Sequence, residues 1–474
     1  MSTPPALAVG ALYDSMLQSA LRQFFERATL EAEPTPSVSS DGRLAIEPSA
    51  NPSALIIRWF GTRYTIRVPG RRAFTAHEVR LAQSIGTVLA ARYHAIHNPR
   101  IIAERGDLFS GAIEDRYVGA FLDHRAYAIE AREARADRIA TIIEMLRVAA
   151  LSSYEGRPIS TGVLLLGTKE DPCRPDGGVP GNTTAFTHSL ARIKSFYRLA
   201  DGVHTVFQVN SEGRLLDIID IERWGTEACG QQTLHVPCAK TFQPHARATM
   251  QHGHVCAVLS PSREVKIFAE GAELFTFRGA AWHLLDVQAK YRMWAEAVGD
   301  DAVAMRIFQT ARDLSDAREG ALFLVARDPE PALAQLVAAG DRLDLCLRDA
   351  RPPALSEPGG RVAGPASSEG ETRADASRRD LLHLLEGRRI TDLDPSVLAT
   401  LSSLDGATVT DREGRLLAAG AILRHPASES LEAGGVVEGA RTTAAMAASQ
   451  FGPVLKVSED GIITFFDGER IWDI

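Results

Sequence analysis

Four short landmarks recur in the same order in two parts of this 474-residue chain. Each part has a buried strand pattern, an Asp-Gly pair, a Glu-Gly-Arg-Leu-Leu turn, and a later strand closed by an acidic residue and glycine. The matched segments are 162–167 with 320–325, 201–203 with 405–407, 211–216 with 412–417, and 265–271 with 461–468. Any one pattern recurs by chance, but a shared order of four predicts a duplicated fold. We expect the two copies at about 136–290 and 301–474.

The length and composition indicate several globular domains. A chain of 474 residues is too long for one ordinary core, and its apolar share of 45% and charged share of 24% are typical of globular proteins. No apolar run reaches the length of about 18 residues that a membrane span needs. The N-terminus lacks the basic start and apolar core of a signal peptide. We therefore expect a cytoplasmic protein with no membrane partner.

The charge and the cysteines exclude two further classes of protein. The formal net charge of -8 gives no general basic field for a nucleic-acid backbone, so a nucleic-acid partner is not favoured. The five cysteines form no CxxC or Cys/His spacing, and an odd number argues against a disulfide framework. We expect them to be reduced.

The N-terminal 100 residues have the pattern of a small α/β domain. Two β-rich runs, 54–60 and 64–68, flank a Gly-Thr pair and predict a hairpin. Thr75 and Glu78 have the spacing of a capping box, which predicts that a helix begins there. Since no cluster of carboxylates or phosphate loop occurs in this region, we expect a regulatory or sensor domain.

The predicted fold class is α/β (α+β). We expect a mixed central sheet with flanking helices in the C-terminal domain, a related degenerate α/β unit in the middle, and the small α/β domain at the N-terminus. Residues 353–378 are rich in Pro, Gly, Ser and Glu and predict a disordered insertion within the last domain. The predicted segments are 1–100, the regulatory or sensor domain; 101–135, a helical connector; 136–299, the degenerate unit; and 300–474, the C-terminal domain.

An Asp-Gly-Ala triplet in the C-terminal domain has the position of a ligand-binding carboxylate. Asp405 follows an apolar helical pattern and precedes a β-rich run, which places it at the end of a packed strand rather than at a loop tip. Gly406 would let a ligand approach the backbone closely. The alternative is an ordinary β-turn, since Asp-Gly pairs are common in turns.

A second feature is the Gly-Ala-Arg-Thr-Thr turn that opens an Ala-rich helix at Gly439. The first amides of a helix are unpaired and suit a phosphate group. Arg441 would clamp that phosphate, and the hydroxyls of Thr442 and Thr443 would donate to its oxygens. The alternative is that Thr442 or Thr443 is an ordinary N-cap and Arg441 a surface charge.

A third feature is the Ser-Glu-Asp-Gly turn that begins at Ser458. Glu459 in this turn is a candidate second metal ligand opposite Asp405. Mg²⁺ and Mn²⁺ favour one or two carboxylates together with substrate phosphates. The alternative is a simple hairpin turn.

With these features, the C-terminal domain resembles the diadenylate cyclase family, whose catalytic domains make cyclic di-AMP from two ATP. The similar segments are 320–322, the triplet 405–407, the strand 414–421 and the Val-Ser-Glu turn 457–459. The resemblance implies that Asp405 and Glu459 lie by the metal ion and that Asp405 and Arg441 are catalytic. The nucleotide contacts that it implies are Gly406, Ala407, Gly439, Arg441, Thr442, Thr443 and Ser458. The middle unit resembles the same fold more faintly.

One departure separates this chain from the family. The family pattern at the phosphate turn is Arg-His-Arg, whereas this chain has Arg441 followed by two threonines. The site therefore has one cation and one imidazole fewer than the family pattern. Three hypotheses therefore stay open: a cyclase, a degenerate cyclase fold that senses ATP or a cyclic dinucleotide, and a scaffold whose turns are structural. Because two nucleotides react head to tail, the resemblance also implies self-association of cyclase-like domains, within the chain or in a homodimer.

Overall fold

The computed structural model describes residues 6–25, 28–35, 44–47, 49–68, 73–104, 109–123, 135–167, 184–187, 195–230, 233–343, 384–424 and 439–474. The chain divides into two compact units, unit 1 (Met1–Ala289 with Ile474) and unit 2 (290–473). Helices and mixed sheets together confirm the α/β (α+β) fold class. The four-segment division stays a prediction, and the insertion predicted at 353–378 lies outside the described residues. No described helix is long and apolar enough to cross a membrane.

The N-terminal part of unit 1 places helices against a four-stranded antiparallel sheet with strand order β1-β4-β3-β2. Its elements are α1 (Ala6–Phe24), β1 (Thr29–Pro34), β2 (Ala45–Glu47), β3 (Ala54–Trp59), β4 (Thr62–Arg67), α2 (Ala76–Ile96), α3 (Pro99–Glu104) and α4 (Ile113–Leu122). The predicted hairpin is confirmed as β3 and β4. The capping box is confirmed as well, since Thr75 Oγ1 accepts from the Glu78 amide and the Glu78 carboxylate accepts from the Thr75 amide.

The rest of unit 1 is built on a seven-stranded sheet in which β7 and β8 are the parallel pair. One face shares a continuous apolar core with α1, α2, α4 and α5, and the other packs on α6 and α7. The elements are α5 (Arg135–Ala150), β5 (Ser153–Tyr154), β6 (Arg157–Pro158), β7 (Thr161–Leu165), β8 (Thr205–Val209), β9 (Leu215–Asp220), α6 (Ile221–Cys229), α7 (Gln243–Ala248), β10 (Val255–Leu259), β11 (Val265–Ala269), β12 (Ala272–Arg278) and β13 (Ala281–Leu284).

Unit 2 contains a six-stranded sheet with β14 and β15 parallel. α10 and α12 cover one of its faces with small and branched apolar side chains. The boundary between the units falls within α8 (Val287–Val298). The other elements of unit 2 are α9 (Asp301–Ala317), β14 (Ala321–Val325), α10 (Pro329–Leu336), α11 (Pro395–Ser402), β15 (Ala407–Thr410), β16 (Leu416–Ala421), α12 (Ala440–Ala448), β17 (Val454–Val457), β18 (Ile463–Asp467) and β19 (Glu469–Asp473).

The two large sheets have the same strand order and direction. The order β9-β8-β7-β10-β11-β12 in unit 1 corresponds to β16-β15-β14-β17-β18-β19 in unit 2, with β13 as an extra edge strand. The one parallel pair occupies the same place in both sheets, and every other pair in this series is antiparallel. This shared topology is the structural counterpart of the repeat read from the sequence.

The strand register corrects one alignment of that repeat. Val209 pairs with the last residue of β7, and Thr410 pairs with the last residue of β14, so the two positions are equivalent. Counting back five residues from each (209 − 5 and 410 − 5) reaches His204 and Asp405. Asp201, the residue matched to Asp405 by sequence, lies three positions further upstream. Unit 1 therefore carries an imidazole where unit 2 carries a carboxylate.

A charged cluster joins α2 to the seven-stranded sheet within unit 1. His77 Nδ1 lies 2.8 Å from Asp286 Oδ1, and its Nε2 lies 3.4 Å from Glu270 Oε2. Arg80 Nη1 donates to Glu270 Oε1 at 2.7 Å. Burial of the imidazole lowers the pKa of His77, but the hydrogen bonds with Asp286 and Glu270 outweigh that effect and raise it to about 9. His77 is therefore a cation in the folded protein at neutral pH.

Unit 1 is expected to lose stability as the pH rises above neutrality. Because the pKa of His77 is about 9 when folded and 6.5 when unfolded, its contribution is complete below pH 6.5 and is lost as the pH rises through 9. The free energy of unfolding should fall by about 3 kcal/mol over this range, because each unit of pKa difference corresponds to about 1.4 kcal/mol. Urea denaturation at each pH measures this free energy. His235→Gln is the control, because His235 is exposed. A slope that is unchanged in His77→Gln would contradict the assignment.

Candidate functional site

Arg441 brings the two candidate metal carboxylates together. Its Nη2 lies 3.5 Å from Asp405 Oδ1, and its Nη1 donates to Glu459 Oε1 at 2.9 Å. The side chains of Asp405 and Glu459 are 98% and 74% exposed, whereas that of Arg441 is 35% exposed. Three residues chosen from separate sequence motifs thus meet at one surface of unit 2, with their carboxylates open to solvent.

Asp405 is positioned by the tight connection between α11 and β15. Gly406 has a φ of +118°, and a Cβ at this position would lie 2.6 Å from the Gly420 carbonyl oxygen on β16. Glycine is therefore required by the packing of β16 on this turn. The side chain of Ala407 is fully buried in the apolar core of unit 2, so this residue presents only its backbone.

Glu459 projects from the β17–β18 turn, which is held in place by α9. The Ser458 amide donates to the Ile462 carbonyl at 2.9 Å, and the Ser458 hydroxyl donates to the Asp460 carboxylate. From α9 and its C-terminus, Ser315 Oγ donates to the Gly461 carbonyl at 2.6 Å, and the Arg318 guanidinium donates to the Asp460 carbonyl. The Ser458 hydroxyl thus has a structural role, and the fixed turn leaves Glu459 exposed.

The Ala-rich helix predicted after Gly439 is confirmed as α12. Its N-cap is Gly439, which makes no side-chain capping bond, and Gly439 accepts from the amides of Thr442 and Thr443 at 2.8 and 3.2 Å. The alternative in which one of these threonines is the N-cap is therefore wrong. Both threonines are half-buried in the first turn, on the same helix as Arg441.

The sequence did not draw attention to Lys456, which contacts the first turn of α12. Its Nζ donates to Thr442 Oγ1 at 2.9 Å. Lys456 lies on β17 between the partner residues Leu322 and Thr464 of the neighbouring strands. The sequence did contain a signal for this residue. Lys456 interrupts an otherwise apolar Val-Leu-Lys-Val strand, and this strand leads directly into the Ser-Glu turn.

Unit 1 lacks the acidic groups of this site at the equivalent positions. The amide of Ser260 donates to the carbonyl of Glu264 just as Ser458 does to Ile462, so Pro261 stands where unit 2 has Glu459. His204 stands where unit 2 has Asp405. Unit 1 therefore has neither carboxylate at these two positions.

The Asp-Gly turn of unit 1 is instead held by internal hydrogen bonds. Asp201 Oδ1 accepts from the amides of Val203, His204 and Thr205 at 2.8 to 3.0 Å. Its burial raises the pKa, but hydrogen bonds from the Thr205 amide and its neighbours lower the pKa of Asp201 to about 2. His245 on α7 is fully buried and its Nε2 lies 2.8 Å from the Gly202 carbonyl oxygen. This turn is a folding element.

Asp405 and Glu459 have the donor chemistry of a site for a hard divalent ion. Within the described ranges, no group of three or more His, Cys, Asp or Glu side chains is arranged to hold a metal. A cation that binds two carboxylates and completes its shell with phosphate oxygens and water needs no third protein ligand. The guanidinium of Arg441 lies by both carboxylates and offsets one of their two negative charges. The two residues therefore fit Mg²⁺ or Mn²⁺.

A scan of the chain against protein-family models gives no match, and a search of curated proteins gives no significant match. The resemblance to the diadenylate cyclases therefore depends on the motifs of unit 2 and on their arrangement.

Proposed function

We propose that unit 2 binds ATP at the surface formed by Asp405, Arg441 and Glu459 and condenses two ATP molecules to cyclic di-AMP. One observation carries this proposal: a single guanidinium lies by both carboxylates that the family resemblance assigns to the metal. These three residues come from three separate segments and meet at one exposed place. Surface turns with no shared function would have no reason to bring them together. The N-terminal region would act as the sensor.

The proposed roles follow from the chemistry of each side chain. Asp405 and Glu459 would hold Mg²⁺ or Mn²⁺, which when bound stabilises negative charge on the α-phosphoryl oxygens. Arg441 would bind phosphate through its planar fork. The hydroxyls of Thr442 and Thr443 would donate to phosphate oxygens. Gly439, Gly406 and the backbone of Ala407 would line the nucleotide, beside Ser458.

The proposed reaction has two equivalent steps. The 3'-oxygen of one ATP forms a bond to the α-phosphorus of the other, the α–β anhydride bond breaks, and pyrophosphate leaves with the bonding electrons. Asp405 accepts the hydroxyl proton. Repetition closes the ring, so two ATP give one cyclic di-AMP and two pyrophosphates. Because unit 1 lacks both carboxylates, we propose that the second ATP is presented by unit 2 of a second chain, in a homodimer.

A second candidate is a sensor that binds ATP or a cyclic dinucleotide without turnover. Two observations favour it. The phosphate turn has two threonines where the family has histidine and arginine. Arg441 is also engaged by two carboxylates, which reduces the charge that it offers to a phosphate.

Equilibrium dialysis of the full chain with ATP, with and without Mn²⁺, tests nucleotide binding for both candidates. We expect saturable binding that Mn²⁺ strengthens and that Arg441→Met weakens by about tenfold or more, as the loss of a charged hydrogen bond implies. Arg415→Met is the matched control, since Arg415 is an exposed arginine of the same unit, 3.8 Å from Asp411. Absence of saturable binding would contradict both candidates.

Gly320→Ala is expected to displace Arg441 without unfolding unit 2. A Cβ at Gly320 would lie 2.7 Å from Arg441 Cζ, and only the mobile end of the arginine side chain has to move. ATP affinity should fall by about tenfold, whereas the free energy of unfolding should change by less than about 1 kcal/mol. Dialysis and urea denaturation measure the two effects. Unchanged ATP affinity would show that the position of Arg441 is irrelevant to binding.

A further inference from the structure

Lys456 and Thr442 form a contact between the sheet and the first turn of α12, next to Arg441. The contact is 2.9 Å from Nζ to Oγ1. Lys456 lies two residues before Ser458 and Thr442 one residue after Arg441. The pair therefore lies between the phosphate turn and the acidic turn of the proposed site.

In the hydrogen bond of this pair, the donor and the acceptor are fixed by the chemistry of the two side chains. An ammonium group has donors and no acceptor, so Lys456 donates and the Thr442 oxygen accepts. The hydroxyl hydrogen of Thr442 is then directed to another acceptor. Donation from a cation to the oxygen polarises that hydroxyl and makes it a stronger donor. A phosphate oxygen is an acceptor suited to such a hydroxyl.

The fold itself does not require a lysine at this position. The register that matches Ser458 to Ser260 also matches Lys456 to Val258 of unit 1. Val258 is fully buried and packs in the apolar core beside α7. The sheet therefore accepts an apolar side chain here, so the lysine of unit 2 is not explained by folding alone.

The net charge of the proposed site explains the presence of a lysine. Asp405, Glu459 and Arg441 together carry a net charge of -1, which is unfavourable for a polyanion. Lys456 brings the total to zero before any metal ion binds. We infer that Lys456, acting with Thr442, is the phosphate-binding cation that replaces the one missing from the Arg-Thr-Thr turn. This inference rests on the proposed function of unit 2.

The test compares ATP with adenosine as probes for the full chain in the presence of Mn²⁺. Lys456→Met should weaken ATP binding by about tenfold or more and leave adenosine binding unchanged, because adenosine has no phosphate. Lys456→Arg keeps the positive charge and should lose less ATP affinity than Lys456→Met. In Thr442→Val, the additional loss caused by Lys456→Met should be smaller than in the wild type, because the two residues act as a pair. Thermal unfolding of each variant verifies that it is folded.

The outcomes separate the inference from the proposed function. If the wild type binds no ATP, the proposed function and this inference both fail. If the wild type binds ATP and Lys456→Met binds it equally well, the inference alone is overturned. Equal losses for ATP and adenosine in Lys456→Met would assign the lysine a structural role and would also overturn it.

Discussion

Asp405→Asn is expected to lower the rate of cyclic di-AMP formation by about two to four orders of magnitude. Asparagine has nearly the same shape, but its amide is a poor ligand for a hard divalent ion and cannot accept the hydroxyl proton. The side chain of Asp405 is almost fully exposed and makes one ion pair at 3.5 Å, so its replacement should not affect folding. The loss should therefore fall on the reaction.

The measurement is chromatography of the product formed from ATP and Mn²⁺ by the wild type and by Asp405→Asn. Glu413→Gln is the matched control, because Glu413 is an exposed carboxylate in the neighbouring β15–β16 turn. We expect the control to retain the wild-type rate. A wild-type rate in Asp405→Asn would remove this residue from the proposed reaction.

Gly406→Ala is expected to destabilise unit 2 by about 2 to 4 kcal/mol. The added Cβ would lie 2.6 Å from the Gly420 carbonyl oxygen and 2.7 Å from the Ala421 carbonyl carbon, both of which are backbone atoms of β16. The φ of +118° adds strain for any residue with a Cβ. Since neither the backbone of β16 nor this turn can move freely, the cost cannot be relieved by a side-chain rotation.

Urea denaturation measures the effect, with Gly439→Ala as the matched control. Gly439 is exposed, has a φ of -61°, and has open space where a Cβ would be placed. Because alanine is a poorer N-cap than glycine, its replacement should cost no more than about 1 kcal/mol. Equal stability of the two variants would show that Gly406 is not required by the packing of β16.

Local signals in the sequence predicted much of the architecture. The β3–β4 hairpin, the capping box of α2 and the helix after Gly439 each depend on neighbouring residues, so a short window contains the information. The sequence also predicted a property that is not local, the shared topology of the two sheets. The repeat indicates it because the order of landmarks along a chain is preserved when a fold is duplicated.

Several contacts between distant segments could not be predicted from the sequence. The alignment of Asp201 with Asp405 failed because two Asp-Gly pairs look alike in sequence, whereas the strand register separates them. The sequence around Gly406 predicts space for a ligand, whereas the close approach of Gly406 to Gly420 depends on how β16 packs. The pairing of Lys456 with Thr442 likewise joins a strand to a helix and has no local pattern.

We propose that unit 2 contains a working cyclase site and that unit 1 is a degenerate copy of its fold. Incubation of the purified full chain with ATP and Mn²⁺ or Mg²⁺, followed by mass spectrometry, tests it most directly. We expect cyclic di-AMP, with two pyrophosphates released for each product molecule. Nucleotide binding without product in either metal would contradict the cyclase and favour the sensor, and the absence of both would contradict the site altogether.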